Sequence, residues 1–182
     1  MERPDESGRL AALRNPSTQQ HAFRALVHEY QRPLYQLIRQ MVVDHDDADD
    51  VLQNTFVKVF QNIHNFKGDS RLYSWVYRIA VNESLTFLQQ KKRRFSADPN
   101  DSIAFMSQRL QADVHFDGEA GLLRLQAAVY SLPEKQQLVF RMKYFEAMTY
   151  ESMSEILETS VGALKASYHH AVKKIETLLQ DD

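Results

Sequence analysis

Four groups of side chains in this 182-residue sequence have the types and spacing to do chemistry. Asp44 to Asp50 holds five aspartates, at 44, 46, 47, 49 and 50, with no Lys or Arg among them. Carboxylates at that density suit a cation or a basic partner. A calcium loop begun at Asp44 would need Gly at its sixth place and Glu at its twelfth. Asp49 and Thr55 stand there, so calcium is rejected, and His45 reads as solvated rather than as a metal ligand. Asp50 and Gln53 lie one helical turn apart, where a carboxylate and an amide can meet a basic helix together. The bland reading, acidic side chains favoured by a helix N-terminus, accounts well for Asp46 and Asp47. Phe66 to Tyr73 combines aromatic, glycine, hydroxyl and basic residues. Holding an unstacked base takes the same ingredients: an apolar wall, free main-chain groups and a cation for phosphate. Lys91-Lys92-Arg93-Arg94 supplies more charge than a helix end calls for and fits phosphate contacts that add affinity rather than sequence choice. Lys165, Ser167, His169, His170 and Lys173 share the polar side of one helical stretch near the C-terminus.

Composition narrows the options. There is no Cys, which removes disulfides, thiolate zinc sites and a Cys nucleophile and fits a reducing, cytoplasmic setting. The sequence has no glycine-rich phosphate loop, no zinc triad and no nucleophile motif, so no enzyme, metal or cofactor is expected, and Tyr168-His169-His170 is not read as catalytic. No apolar run is long enough for a membrane span, and the first residues lack a signal core. The net charge is only −2, but it is unevenly spread. Lys67 to Arg94 has seven basic residues against two acidic ones, whereas Phe95 to Gly121 has five acids against Arg109. Alternating charge of this kind points to several partners of different sign.

The elements that must position these groups are helices. Five Gly and five Pro are too few for a chain of many turns, and an all-α fold follows. Apolar residues at three- and four-residue spacing predict helices over about 20–42, 46–65 and 70–94. Pro33 should kink the first or cost it a hydrogen bond. Asp69 or Ser70 is the expected N-cap of the third. Shorter helices are predicted over 121–131, 134–145, 149–157 and 160–178, with Pro133 opening the second of these. Residues 1–18 are polar, with Pro4, Gly8 and Pro16, and are expected to be disordered. Residues 95–120 read as an acidic flexible linker, with room for one short helix near 101–112. The expected architecture is therefore two small helical domains, 19–94 and 121–182. The last two helices, parted by Glu158-Thr159-Ser160, match a helix-turn-helix, although the usual turn glycine is missing.

Three stretches together resemble the extracytoplasmic-function sigma factors, the small members of the sigma-70 superfamily. Asp47-Ala48-Asp49-Asp50-Val51-Leu52-Gln53-Asn54-Thr55-Phe56 is similar to the acidic segment of region 2. Phe66 through Trp75 to Asn82 is similar to its promoter-opening segment. Leu132-Pro133-Glu134-Lys135-Gln136, Tyr150-Glu151 and Ser160 to Lys165 are similar to region 4. The resemblance implies that Asp49, Asp50 and Gln53 bind a coiled coil of the largest polymerase subunit. It implies a minus-ten surface of Phe66, Lys67, Ser70, Arg71, Trp75, Arg78, Asn82, Lys91, Lys92, Arg93 and Arg94. Trp75 also shares the apolar stripe of its helix, so core and DNA-edge roles both stand. Thr149, Tyr150, Lys165, Ser167, His169, His170 and Lys173 would face the minus-thirty-five element, with region 4 seated on the polymerase flap. An anti-sigma protein is the expected regulator. The pattern departs from the family where Arg is common but Ser167 and His170 stand, and where Thr is common but Ala163 stands. The rival reading is a helix-turn-helix regulator that never engages polymerase, which leaves Phe66–Asn82 and the Asp50/Gln53 face unexplained.

Overall fold

The computed structural model describes residues 6–95 and 120–180, and among these it contains eight α-helices and no strand. In chain order they are α1 (Glu6–Arg14), α2 (Gln19–Val42), α3 (His45–Asn62), α4 (Leu72–Phe95), α5 (Ala120–Tyr130), α6 (Glu134–Tyr144), α7 (Tyr150–Leu157) and α8 (Val161–Gln180). A 3-10 turn, Ile63–Asn65, follows α3. The expected linker helix near 101–112 lies outside the described residues.

Local chemistry sets several helix starts. The Asp44 side chain accepts the Asp47 N–H at 3.1 Å and caps α3. Thr149 does the same for the Ser152 N–H at 3.1 Å in α7. The N-cap expected at Asp69 or Ser70 is not the one used. The first free amide of α4, at Leu72, instead donates to a carboxylate oxygen of Glu6, 66 residues away. α2 continues through Pro33 over its full length. It ends at Val43, whose φ of 71° is costly for a β-branched residue.

The expectation that residues 1–18 are disordered is corrected for the described residues 6–18. Leu10 and Leu13 lie one turn apart in α1, and Leu13 is fully buried. Arg9 joins Glu29 of α2 at 2.6 Å. The flanking prolines had hidden a nine-residue amphipathic helix that is too short to hold alone and is stabilised by packing.

The two halves pack on each other and are not merely tethered. One apolar cluster takes Leu26, Leu34, Leu37 and Ile38 of α2 and Val76 and Ala80 of α4, together with Met142, Met153, Ile156 and Leu164 of the second half. A smaller cluster, including Val129, Phe140, Ala171 and Ile175, belongs to the second half. Each half also supplies one arginine to the other. Arg78 of α4 donates to the carbonyls of Glu155 (2.7 Å) and Ile156 (3.2 Å) in the last turn of α7. Arg141 of α6, only 1 % exposed, donates to the Gln40 carbonyl in the last turn of α2 and lies 4.5 Å from the Tyr130 ring centre. Both cations satisfy carbonyls that have no partner inside their own helix, at the end where the helix dipole favours positive charge.

Two outcomes follow. Leu13→Ala is expected to lower the unfolding free energy by about 2–5 kcal/mol in a urea titration; an N-terminus without packing would give no change. Glu146, in the loop after α6, accepts a hydrogen bond from Gln40 at 3.0 Å, and burial raises its carboxyl above the ordinary 4.5. A raised acid contributes stability that is complete below 4.5 and is lost as pH climbs through the raised value. Thermal unfolding across that range is therefore expected to be less pH-dependent in Glu146→Gln than in the wild type.

Candidate nucleic-acid interface

The acidic face of α3 is built by helix geometry alone. Asp49, Asp50 and Gln53 are exposed, with Asp49 3.6 Å from the His45 ring. Continuing along the helix, Val57 (48 % exposed) and Phe60 (42 %) fall on the same side as Asp50 and Gln53. Phe60 stays this open even with the Phe23 ring centre 5.0 Å from its own. The surface is thus an acidic and amide start followed by two open apolar residues, the composition of a protein-docking face. Sequence reasoning named only the polar members of this face, since an apolar residue carries no signal of its own that it stays open to solvent.

Behind it, α4 and the loop before it carry the residues expected to meet single-stranded DNA, and the fold sorts them unequally. Phe66 cannot be a base wall in this arrangement. It is 4 % exposed, its ring centre 5.1 Å from that of Trp75, inside the large apolar cluster. Trp75 is half-buried and keeps an open edge. That edge lines a groove of about 430 Å3 with Asn82, Lys58, Asn62 and Asn65. Lys58 reaches Glu83 at 2.5 Å across this groove. Lys58, Asn62 and Asn65 carried no signal in the sequence, because their link to Asn82 is made across the α3–α4 packing. Lys67 and Arg93 are exposed, and Ser70 is half-buried. Lys91 is taken up by Asp47, an ion pair between α4 and the start of α3. The side chains of Lys92 and Arg94 lie outside the described residues.

Arg71 and Arg78 face the second half. Beyond its two carbonyl contacts, Arg78 pairs with the Glu158 carboxylate, and Arg71 lies 4.0 Å from Glu155. The buried Ser74 hydroxyl donates to Glu155 at 2.7 Å. A cleft of about 530 Å3 is bounded by Ser70, Arg71 and Arg78 on one wall and by Ser154, Glu155 and Glu158 on the other. The carboxylates of α7 therefore occupy cations that a phosphate backbone would need. Glu158 does so from the turn between α7 and α8 with φ 51° and ψ 40°, the left-handed conformation in which glycine is usual.

α8 presents the third surface. Leu164, Ala171 and Ile175 are buried and Tyr168 is half-buried, which leaves Lys165, His169 and Lys173 exposed at four-residue steps with His170 beside them. Ser167 is half-buried. The Tyr150 ring has the ammonium groups of Lys143 and Lys165 at 4.9 and 5.6 Å, and Thr149 is exposed next to it. The two helices and their short turn form a helix-turn-helix whose second helix exposes polar groups suited to base edges and phosphates. Among the described residues, no group of three or more His, Cys, Asp or Glu is placed to share a metal ion.

Comparison with known proteins places these surfaces in context. Residues 26–94 match sigma-70 region 2, and residues 122–175 match sigma-70, region 4. The chain is 31% identical over 168 residues to the RNA polymerase sigma-H factor of Pseudomonas aeruginosa, covering 87% of this chain and 86% of that one. It is 30% identical over 170 residues to the ECF RNA polymerase sigma-E factor of Haemophilus influenzae, covering 87% and 88%. In fold it resembles CnrH, solved with the cytosolic domain of CnrY, at a TM-score of 0.67 and 22% identity over 96% of this chain and 97% of that one. It also resembles the sigma factor RpoE, solved with the anti-sigma factor NepR from Bartonella quintana, at 0.64 and 20% over 88% and 98%.

The contact between α4 and α7 can be tested directly, because a chain without cysteine accepts a pair of spin labels at exposed positions such as Gln89 and Lys165. Glu155→Ala with Glu158→Ala is expected to lengthen and broaden the distance between the labels. A distribution identical to that of the parent would show that these carboxylates do not hold the halves together.

Proposed function

We propose, from the premise that the chain belongs to the sigma-70 family and to its extracytoplasmic-function branch, that its separate surfaces work together as a promoter-opening unit on core RNA polymerase. It is a transcription initiation factor. On this reading residues 19–94 dock on the coiled coil of the largest polymerase subunit and engage the minus-ten element. Residues 95–120 link them to residues 121–182, which sit on the polymerase flap and read the minus-thirty-five element as duplex. The protein makes and breaks no covalent bond, needs no cofactor and acts in the cytoplasm, where polymerase is. Among the described residues no helix is long and apolar enough to cross a membrane.

The observation that carries the reading is the α3 face. Asp50, Gln53, Val57 and Phe60 form an exposed stripe that serves neither the core nor the DNA-facing side of α4. A DNA-binding regulator independent of polymerase has no use for it. The closed arrangement adds regulation. While α7 and the turn after it hold Arg78 and Arg71, two cations of the minus-ten surface are taken up, so productive binding requires the halves to part. An anti-sigma protein that favours the closed form would keep Arg71 and Arg78 from DNA; of the resembling structures, CnrH was solved with the cytosolic domain of CnrY and RpoE with the anti-sigma factor NepR. Lys165, His169, His170 and Lys173 supply phosphate and base contacts on the upstream element, with Ser167, Thr149 and Tyr150 at their edge.

Asp50→Lys with Gln53→Ala is expected to abolish co-purification with core polymerase and transcription in vitro, while helical circular dichroism is unchanged. Full retention of core binding by the double variant would refute the docking face. Absence of core binding by the wild type would refute the functional reading itself.

A further inference from the structure

The loop between α3 and α4 carries Lys67, Ser70 and Arg71, and Gly68 at its tip has a φ of 82° with nothing within 4 Å of an added Cβ. Among the described residues, no main-chain hydrogen bond is made by residues 67–70. A loop of this kind, left to itself, would sample many shapes. Both of its ends are nonetheless held, and by the same distant element. At the entrance, the Arg14 guanidinium donates to the Phe66 carbonyl through Nη2 and to the Ile63 carbonyl through Nε at 3.4 Å. At the exit, Glu6 accepts the Leu72 N–H that opens α4. Gln19, just beyond α1, meets His64 at 3.2 Å. α1 is itself anchored by the buried Leu13 and by Arg9 on Glu29 and over the Tyr30 ring. α1 lies outside both stretches matched to sigma-70 regions.

We propose that Arg14 and Glu6 are positioning residues for promoter opening, fixing the two ends of the 66–71 loop so that its cations and open main chain stand ready for an unstacked base. The inference rests on the functional reading above and adds to it an element that neither matched region contains. The physical argument is pre-organisation. Fixing the loop before DNA arrives removes an ordering cost from the opening step, and a charged donor on main-chain carbonyls does this more firmly than a neutral one. The two contacts divide the work. Arg14 sets where the loop leaves the 3-10 turn, and Glu6 sets where α4 begins, hence the direction in which Arg71 and Trp75 emerge.

The test uses holoenzyme reconstituted with core polymerase and a short randomised pool of single-stranded DNA, alongside permanganate footprinting of duplex promoters selected by the wild type. Arg14 is exposed, so Arg14→Ala removes the contact without opening the core. It is expected to weaken single-strand capture and open-complex formation about tenfold, the scale of one charge-assisted hydrogen bond, with core affinity unchanged. Arg14→Lys keeps one charged donor and is expected to recover part of the loss. Glu6→Ala gives an independent variant at the other end of the loop, with the same expected direction. A merely structural role would lower the melting temperature but leave single-strand affinity of the folded protein intact, and that outcome overturns the proposal. Wild-type capture and opening by both alanine variants overturns it as well. Failure of the wild-type holoenzyme to capture single strands would instead overturn the functional reading, and this inference with it.

Discussion

The carbonyls at the C-terminal ends of α2 and α7 have no partners within their own helices, and in this fold each is met by an arginine from the opposite half of the chain. Arg141 reaches the Gln40 carbonyl, and Arg78 reaches those of Glu155 and Ile156. Burying a guanidinium is costly unless its donors are used. The two arginines therefore fix where the halves meet with greater directional precision than the apolar cluster around them, since dispersion and hydrophobic burial are tolerant of small rotations. The position of α7 against α4, the cleft between them and the carboxylates lining it follow from that docking.

The same interactions limit how permanent the contact can be. The Arg141 Nη2 atom is buried without a hydrogen-bond partner among the described residues, as is Gln40 Oε1. Glu146 sits partly buried in the same seam with its carboxyl biased toward the neutral form. Unsatisfied polar atoms regain water when the halves separate, which offsets part of the apolar area that would be exposed. A seam of this composition suits a contact that can open as well as close. Arg78 stands at its centre: it caps α7, and it is also one of the cations expected to meet DNA.

α1 shows how a short, weakly patterned segment can acquire a role through packing. Nine residues cannot hold a helix in water, yet Leu13 in the core and Arg9 on α2 keep it in place. From there two charged side chains govern a loop more than 50 residues further on. The helix is local in sequence; its consequence lies wholly in three-dimensional contact.

Periodicity and local chemistry by themselves determined the long helices, the helix-turn-helix, the polar part of the α3 face and the exposed face of α8, since each depends on residues within one or two turns. The motifs at Asp47–Phe56 and Phe66–Asn82 carried the family for the same reason. What only the tertiary structure decided involves partners far apart in the chain. Phe66 has the composition of a base wall but is drawn into the core by Trp75 and the surrounding cluster. Lys91 looks free for phosphate but meets Asp47, 44 residues earlier. Asp69 and Ser70 look like caps, yet Glu6 arrives first. Arg78 has the spacing of a DNA contact, and the closed fold commits it to α7. A hydrogen bond or ion pair forms wherever donor and acceptor come within about 3 Å, and for residues tens of positions apart that proximity is set by the packing of the helices, which sequence spacing does not encode.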